Sequence, residues 1–484
     1  MRRSSRYLLA IAVIFIISRL LGWAAGIYDF SGPLMPPYYV APPYLLQHRL
    51  VETLFYLHLQ PPLYNLFFGL ALKIFAPSAK AGYLLVSHAL GLFLCLGLFS
   101  LQVRLKTPLL LAFALTALFA LSPGAMLYEH SISYTFISGV FLFFAAVFLH
   151  RYAAGGKTRD AAVYFTLLAA LVLTRTTFHI IWFGGAAAIP FFAQAAGRRR
   201  LVRALALPCL VVAGWHVQQL ALFGYPFHSY TLGKQLILMA LHEMPDETLR
   251  GIARAHPGVL SDAPSIYTPG PDQLPAPWRN LPPTGIPALD WKYKHHTDER
   301  DPNFNYIGYI YYGRQCQSDA VKIIRLAPEY FARAVAYSVR DYFRPSQDLF
   351  CDDWEYPLPI SGRIYDLFYG RFAPRQPVLV PTARGERMVD DRRAWFVIFG
   401  LPFLFIYGLA AAIRRRASDK PFALTVAFMV GSIAWITAVV FTLTLGESMR
   451  YRSKIDPFFV ALLGVFIADM IGAGRRKLGA QARE

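Results

Sequence analysis

Ten apolar runs, each fifteen to twenty-four residues long, constrain this chain more than any other feature. They lie at 7–28, 82–103, 108–127, 132–150, 161–175, 180–195, 201–222, 394–413, 422–445 and 457–471. About twenty apolar residues, rising about 1.5 Å each as a helix, cross the roughly 30 Å hydrocarbon layer of a bilayer. Inside that layer every backbone N–H and C=O must find its partner within the segment, which selects helices. The expectation is an all-α polytopic membrane protein of about 10 transmembrane helices plus juxtamembrane helices. A hydrophobic fraction of 56% and a mean hydropathy of +0.38 agree with it.

The formal charge of +19 raises nucleic-acid binding, but its distribution excludes that reading. Residues 223–393 hold 20 Lys/Arg against 20 Asp/Glu, so the rest of the chain carries the whole excess. That excess forms short clusters between apolar runs, at 104–106, 151–159, 198–203, 414–420 and 475–477. Together with the N-terminal arginines they mark one side, the cytoplasmic one by the positive-inside bias. Both termini then lie inside and residues 223–393 form an extracytoplasmic domain. The N-terminal run is long enough to span and lacks a small-x-small cleavage pattern, so it reads as an uncleaved first span. Three regions follow: 1–222, with a first outer loop at 29–81; the balanced domain 223–393; and 394–484, ending in a cytoplasmic tail. The expected domain is helix and loop, with an extended proline-rich stretch at 257–287 and two amphipathic helices over 319–343 broken at Pro328.

The segment 57–65, LHLQPPLYN, places His58, Gln60, Tyr64 and Asn65 around a Pro-Pro turn. Proline fixes φ and removes a donor, so the chain kinks there and needs polar company. The apolar stretch that follows, 63–75, is too short to cross, and charge parity makes it an interfacial helix. Other polar groups expected near the outer face are few: Asp29, His48, Glu52, Glu129, His130, Arg175, Glu447, Arg450, Arg452 and Lys454. Carboxylates can deprotonate an incoming hydroxyl, and an Arg-x-Arg pair can hold a phosphate. Each also has a plainer reading: a solvated flank for Asp29 and Glu52, snorkelling for Arg450, Arg452 and Lys454, and snorkelling for Arg19. A cationic cluster on the outside runs against the charge bias, which favours function for 450–454. Cys316 and Cys351 could pair in an oxidising compartment, whereas Cys95 and Cys209 sit in apolar runs. His295 and His296 read as exposed.

The order of these motifs resembles the GT-C superfamily of membrane glycosyltransferases, nearest its protein O-mannosyltransferase and aminoarabinose transferase branch. The matching elements are H-x-Q-P-P-L-Y-N at the end of the first outer loop, LTRTT at 173–177, and RYRSKIDPF at 450–458. The resemblance covers roughly 1–222 and 394–471. It implies a sugar donor linked to polyprenyl phosphate, inverting transfer on the outer face of a bacterial inner membrane, and a catalytic carboxylate in the first outer loop. The family's early Asp-Glu pair is absent here, so that role goes to Asp29, with Glu52 second. His58, Gln60, Glu129, Arg175, Arg450, Arg452 and Lys454 become the substrate-binding set. The implied partners are that donor, a lipid-linked glycan, lipid or protein acceptor, and membrane lipids, with no nucleic acid. Metal use varies across the superfamily, so a divalent metal stays open; no ligand spacing here is diagnostic. The competing readings are a transporter or lipid flippase, a non-catalytic member of the fold, and a membrane anchor.

Overall fold

Helices account for nearly all of the regular structure, and the only sheets among the described residues are two hairpins, Tyr293–His295 with Asp298–Pro302 and Pro377–Thr382 with Gly385–Asp390. The computed structural model describes residues 2–24, 40–75, 78–131, 133–193, 197–224, 231–259, 269–295, 298–350, 359–374, 377–382, 385–390 and 392–481. Among the described residues seven helices are long and apolar enough to cross a membrane: Ser4–Ala24, Ala81–Arg104, Tyr134–Gly155, Arg198–Phe223, Trp395–Arg415, Lys420–Leu443 and Ser448–Gly474. The chain is a helical multi-pass membrane protein. Tyr134–Gly155 is the most enclosed of the seven and packs against Ala79–Arg104, Thr158–Thr174 and Lys420–Leu443.

The remaining three expected spans take other forms. The one at 108–127 is two helices, Leu109–Leu121 and Pro123–His130, bent by 52°. Pro123 supplies no N–H, and Ser122 caps the new helix by accepting from the Ala125 N–H at 3.3 Å. The run at 161–175 is the seventeen-residue helix Thr158–Thr174, whose Tyr164, Phe165 and Leu168 are fully buried in the main core. The run at 180–195 is Ile180–Ala188 continued by one 3₁₀ turn to Phe192. The loops assigned to one side by charge meet: Lys106 donates to Asp419 at 2.5 Å.

The Pro-Pro turn starts the helix Pro62–Ile74, with Pro62 at its first position, where a missing N–H costs nothing. At thirteen residues it is shorter than a span, as its length demanded. Pro328 likewise opens Pro328–Tyr342 after Gly308–Leu326, giving the two helices expected over 319–343. The long helix Gly308–Leu326 packs on Thr231–Ala240, and Pro328–Tyr342 packs on Lys420–Leu443.

Candidate functional site

Three of the residues singled out for binding lie within one short connection before the last long helix. That connection is the five-residue helix Ser448–Arg452 followed by a 3₁₀ turn, Ser453–Ile455, and all eight of its residues except Ser453 are buried. It is clamped from the 223–393 region: the Ser448 N–H donates to Asp341 at 2.6 Å, and the Ser338 hydroxyl donates to the Thr444 carbonyl. On the membrane side Gly139 makes room, since a Cβ there would stand 3.2 Å from the Lys454 Cα. A helical turn so placed sends side chains four residues apart in one direction. Arg450 and Lys454 therefore go one way, and Arg452 and Asp456 the other.

Arg450 and Lys454 meet Arg175 around two tyrosines. Arg175 ends the helix Thr158–Thr174, donates to the Tyr451 hydroxyl at 2.6 Å, and lies 4.0 Å over the Tyr134 ring. Arg450 stands 5.7 Å from that ring, and Lys454 4.5 Å from the Tyr451 ring. Glu447 pairs with Arg450 at 2.5 Å. Lys454 is 2% exposed and its ammonium has no hydrogen-bond partner among the described residues. Ring faces attract cations but cannot neutralise them. Among the described residues Glu447 is the carboxylate that faces these three side chains.

Arg452 serves a different neighbourhood. It donates to the Tyr342 carbonyl, to the Ser346 hydroxyl at 2.9 Å and to Asp456 at 3.3 Å. Below it a cavity of about 310 Å³ opens among apolar side chains of several spans.

The other expected residues are dispersed. His58 and Gln60 are buried at the junction with the 223–393 region. The Asn305 side chain accepts from the His58 and Leu59 N–H groups at 2.8 and 3.1 Å and donates to the carbonyls of Tyr56 and Ala288, while His58 Nε2 meets the Asn305 carbonyl at 2.8 Å. Burial pulls the His58 pKa down to about 3, only partly opposed by the hydrogen bond to Asn305. The Gln60 carboxamide is 1% exposed, with neither nitrogen nor oxygen partnered among the described residues. Glu129 is fully engaged: Arg19 grips it with two bonds, at 3.2 and 2.5 Å, and His88 Nδ1 sits 2.5 Å away. Trp23 donates to His88 Nε2, which puts the His88 proton on Nδ1 facing the carboxylate. Gly91 leaves the space the carboxylate fills, because a Cβ there would come within 2.6 Å of it. Arg19, expected to snorkel, is instead 5% exposed and also donates to the Ala120 carbonyl at 2.6 Å, a group released by the helix break at Pro123. Glu52 lies half-buried beside Arg49 at 3.4 Å. Asp29, Cys351 and His296 lie outside the described residues. Cys95, Cys209 and Cys316 are free thiols. Among the described residues no group of three His, Cys, Asp or Glu side chains is placed to hold a metal ion.

Sequence reasoning missed Tyr451, Ser346, Asp456, His88 and Asn305. Spacing alone carried a signal only for Asp456, which sits four residues beyond Arg452.

No protein-family model and no curated protein matches the chain. Among solved structures, the archaeal oligosaccharyltransferase AglB from Archaeoglobus fulgidus, in complex with an inhibitory peptide and a dolichol-phosphate, is similar over 99% of this chain and 52% of that one, at 15% identity and a TM-score of 0.41. The apo oligosaccharyltransferase from the same organism is similar over 99% of this chain and 52% of its own, at 12% identity and a TM-score of 0.37. The chain thus spans about half the length of the solved structures it matches. Likeness at that level transfers no residue roles, and the functional argument rests on the site.

Proposed function

We propose that this protein is a membrane glycosyltransferase of the GT-C type, taking a sugar from a polyprenyl-phosphate-linked donor to an acceptor on the outer face of the membrane. The observation that carries the reading is the buried meeting of Arg175, Arg450 and Lys454, with the Lys454 ammonium unpartnered among the described residues. A buried ammonium without a counter-charge is costly, and a phosphate arriving from outside the chain supplies that charge. Arg175 and Arg450 offer planar forks for phosphate oxygens, and Lys454 a point charge. In an inverting transfer a carboxylate takes the acceptor hydroxyl's proton, and the freed oxygen attacks the anomeric carbon. The bond from that carbon to the phosphate oxygen then breaks, leaving added negative charge on the polyprenyl phosphate. The cluster stabilises that charge most as it develops, which is what accelerates a reaction.

Asp29, and after it Glu52, is our assignment for the carboxylate. Gln60, whose buried carboxamide is unpartnered among the described residues, is suited to sugar hydroxyls. His58 holds the loop carrying it, Arg452 holds the turn carrying Arg450 and Lys454, and Glu129 braces the spans behind. The 223–393 region is assigned to acceptor recognition. A transporter reading gains one observation, the ionisable trio Arg19, His88 and Glu129 inside the bundle, but the trio is mutually compensated.

The test compares binding of a polyprenyl phosphate and the matching polyprenol to the purified protein in nanodiscs, read by native mass spectrometry. Phosphate-dependent binding that is lost in Lys454→Met and Arg175→Gln is expected; equal binding of the alcohol ends the donor assignment. Lipid-linked sugars and envelope glycans, compared in cells with and without the gene, test transfer itself. Full transfer by both Asp29→Asn and Glu52→Gln would remove the carboxylate assignment.

A further inference from the structure

The turn at 448–456 has a second side, and its chemistry differs from that of the cation cluster. The cavity beneath it has a volume of about 310 Å³, within the usual range for small-ligand pockets. Its walls are apolar: Leu115 and Phe119 from the bent pair, Phe136 from the most enclosed span, Leu401 from Trp395–Arg415, and Val460 and Leu463 from the last helix. One end is polar, with Tyr128, Thr135, Ser346, Arg452 and Asp456. Arg175, Arg450 and Lys454 do not line it.

Among the described residues each cation at that end has a carboxylate partner. Arg452 is matched by Asp456 at 3.3 Å. Behind this pair Arg371 grips Asp348, with one of its bonds at 2.9 Å, and Arg392 meets Asp366 at 2.8 Å. Among the described lining residues the one cation, Arg452, thus already has a carboxylate partner. Hydroxyl chemistry is available instead. The Thr135 hydroxyl is 1% exposed and lacks a partner among the described residues, the Tyr128 hydroxyl donates to the Ser346 carbonyl at 3.1 Å, and the Ser346 hydroxyl donates to Asp456 at 2.6 Å.

The side wall faces outward. The helix Pro359–Tyr369 contributes Tyr365, Phe368 and Tyr369 to the cavity. Its Leu367 is 60% exposed and Phe368 52%, and the neighbouring Phe396 and Phe399 of a membrane-crossing helix are also exposed. Phe368 thus belongs both to the cavity and to an apolar surface continuous with a span. A surface of that kind in a multi-pass protein is covered by lipid.

We infer that this cavity is a binding site for a neutral-headed lipid, its chain among Phe136, Leu401 and Val460 and its hydroxyl-bearing head at Thr135, Ser346 and the Arg452–Asp456 pair. It is distinct from the phosphate site. The lipid enters sideways past Phe368. This inference concerns binding alone and holds whether or not the chain transfers sugar.

The test uses the full chain in phosphatidylcholine nanodiscs, doped with diacylglycerol or with phosphatidic acid, each carrying a diazirine on one acyl chain. After illumination, labelled peptides are mapped by mass spectrometry. Diacylglycerol is expected to label the peptides around Leu401 and Val460 at least fivefold more than phosphatidic acid does, and Val460→Trp to abolish that difference. Asp456→Asn leaves Arg452 uncompensated and is expected to reverse the preference towards phosphatidic acid. That reversal cannot arise from misfolding, so it guards against a Val460→Trp chain that merely fails to fold. Equal labelling by the two probes in the native protein overturns the inference. So does labelling confined to outward-facing span residues, which marks bulk lipid only. The donor assignment is read separately, by polyprenyl phosphate binding at Lys454, so either can fail alone.

Discussion

Two buried charge clusters in this molecule contain the same kinds of side chain and end in opposite states. Around Glu129, one carboxylate takes two bonds from Arg19 and one from His88, and its surroundings are closed by Gly91 and by the carbonyl at Ala120. Around Tyr134, three cations gather with Glu447, the single carboxylate among the described residues there, at the edge. The first cluster balances itself and therefore belongs to the fold. In the second, the Lys454 ammonium finds no hydrogen-bond partner among the described residues, which is why we assign it to function. Burial alone would not have separated them, because both are almost wholly out of solvent.

The sharpest way to break this comparison is to unbalance the closed cluster. Glu129→Gln leaves Arg19 buried and uncompensated, and losing one partner of a buried pair costs about 3–5 kcal/mol. Thermal unfolding of the purified protein should show a large drop. The double variant Arg19→Leu, Glu129→Leu should recover much of it, since no charge then remains to strand. A Glu129→Gln protein as stable as the native one would show that this cluster, too, is open.

The complementary change at the open cluster should behave in reverse. Lys454→Met removes a buried cation that has no hydrogen-bond partner among the described residues, so stability should hold or rise. A hydrogen bond to a charged group is worth about 1.5–3 kcal/mol, so affinity for a polyprenyl phosphate should fall about 10- to 150-fold. Loss of both stability and binding would place Lys454 in the fold and undo the distinction.

The difference between the clusters was only half legible in the sequence. Apolar periodicity and charge placement are local properties, so most of the long helices, the short helix after Pro61 and the break at Pro328 could be read directly. The break at Pro123 was missed because the apolar run continues through it, and hydropathy does not register one missing N–H. Arg450 and Lys454 were singled out as a charge run against the topological bias, and Arg175 as a cation ending an apolar run. Their meeting depends on Tyr134 and Tyr451, aromatic residues indistinguishable in sequence from an interfacial belt. Arg19 was misread as snorkelling because its partner lies 110 residues away. Asn305 carried no signal at all, since a side chain that bonds backbone gains its role only from the loop brought to it.

The junction built on Asn305 gives a pH-dependent version of the same contrast. His58 is buried and neutral, with its pKa pulled from an ordinary 6.5 down to about 3 by burial. A depressed histidine contributes fully above about pH 6.5, and the contribution is lost as pH falls from there towards about 3. At pH 5 the loss is about 2 kcal/mol, from about 1.4 kcal/mol per unit below pH 6.5. Hydrogen exchange of the Leu57–Leu59 backbone should therefore quicken between pH 7 and pH 5, beyond the intrinsic change in exchange chemistry. His58→Phe, which cannot titrate, should abolish that excess.

The smallest structural effect belongs to Glu52. Its side chain is 38% exposed and its partner Arg49 53% exposed, at 3.4 Å. Such a pair is worth about 0–1 kcal/mol, because water screens the attraction and two mobile side chains must be held together. Glu52→Gln should leave thermal unfolding nearly unchanged, and that makes it informative about chemistry. At Glu129 any loss of activity is confounded with the fold. At Glu52 a transfer rate reduced more than about tenfold, with unfolding unaltered, cannot be charged to stability and assigns the carboxylate a chemical role. An unchanged rate moves that role to Asp29 alone, where Asp29→Asn then has to abolish transfer for a first-loop carboxylate to remain in the mechanism.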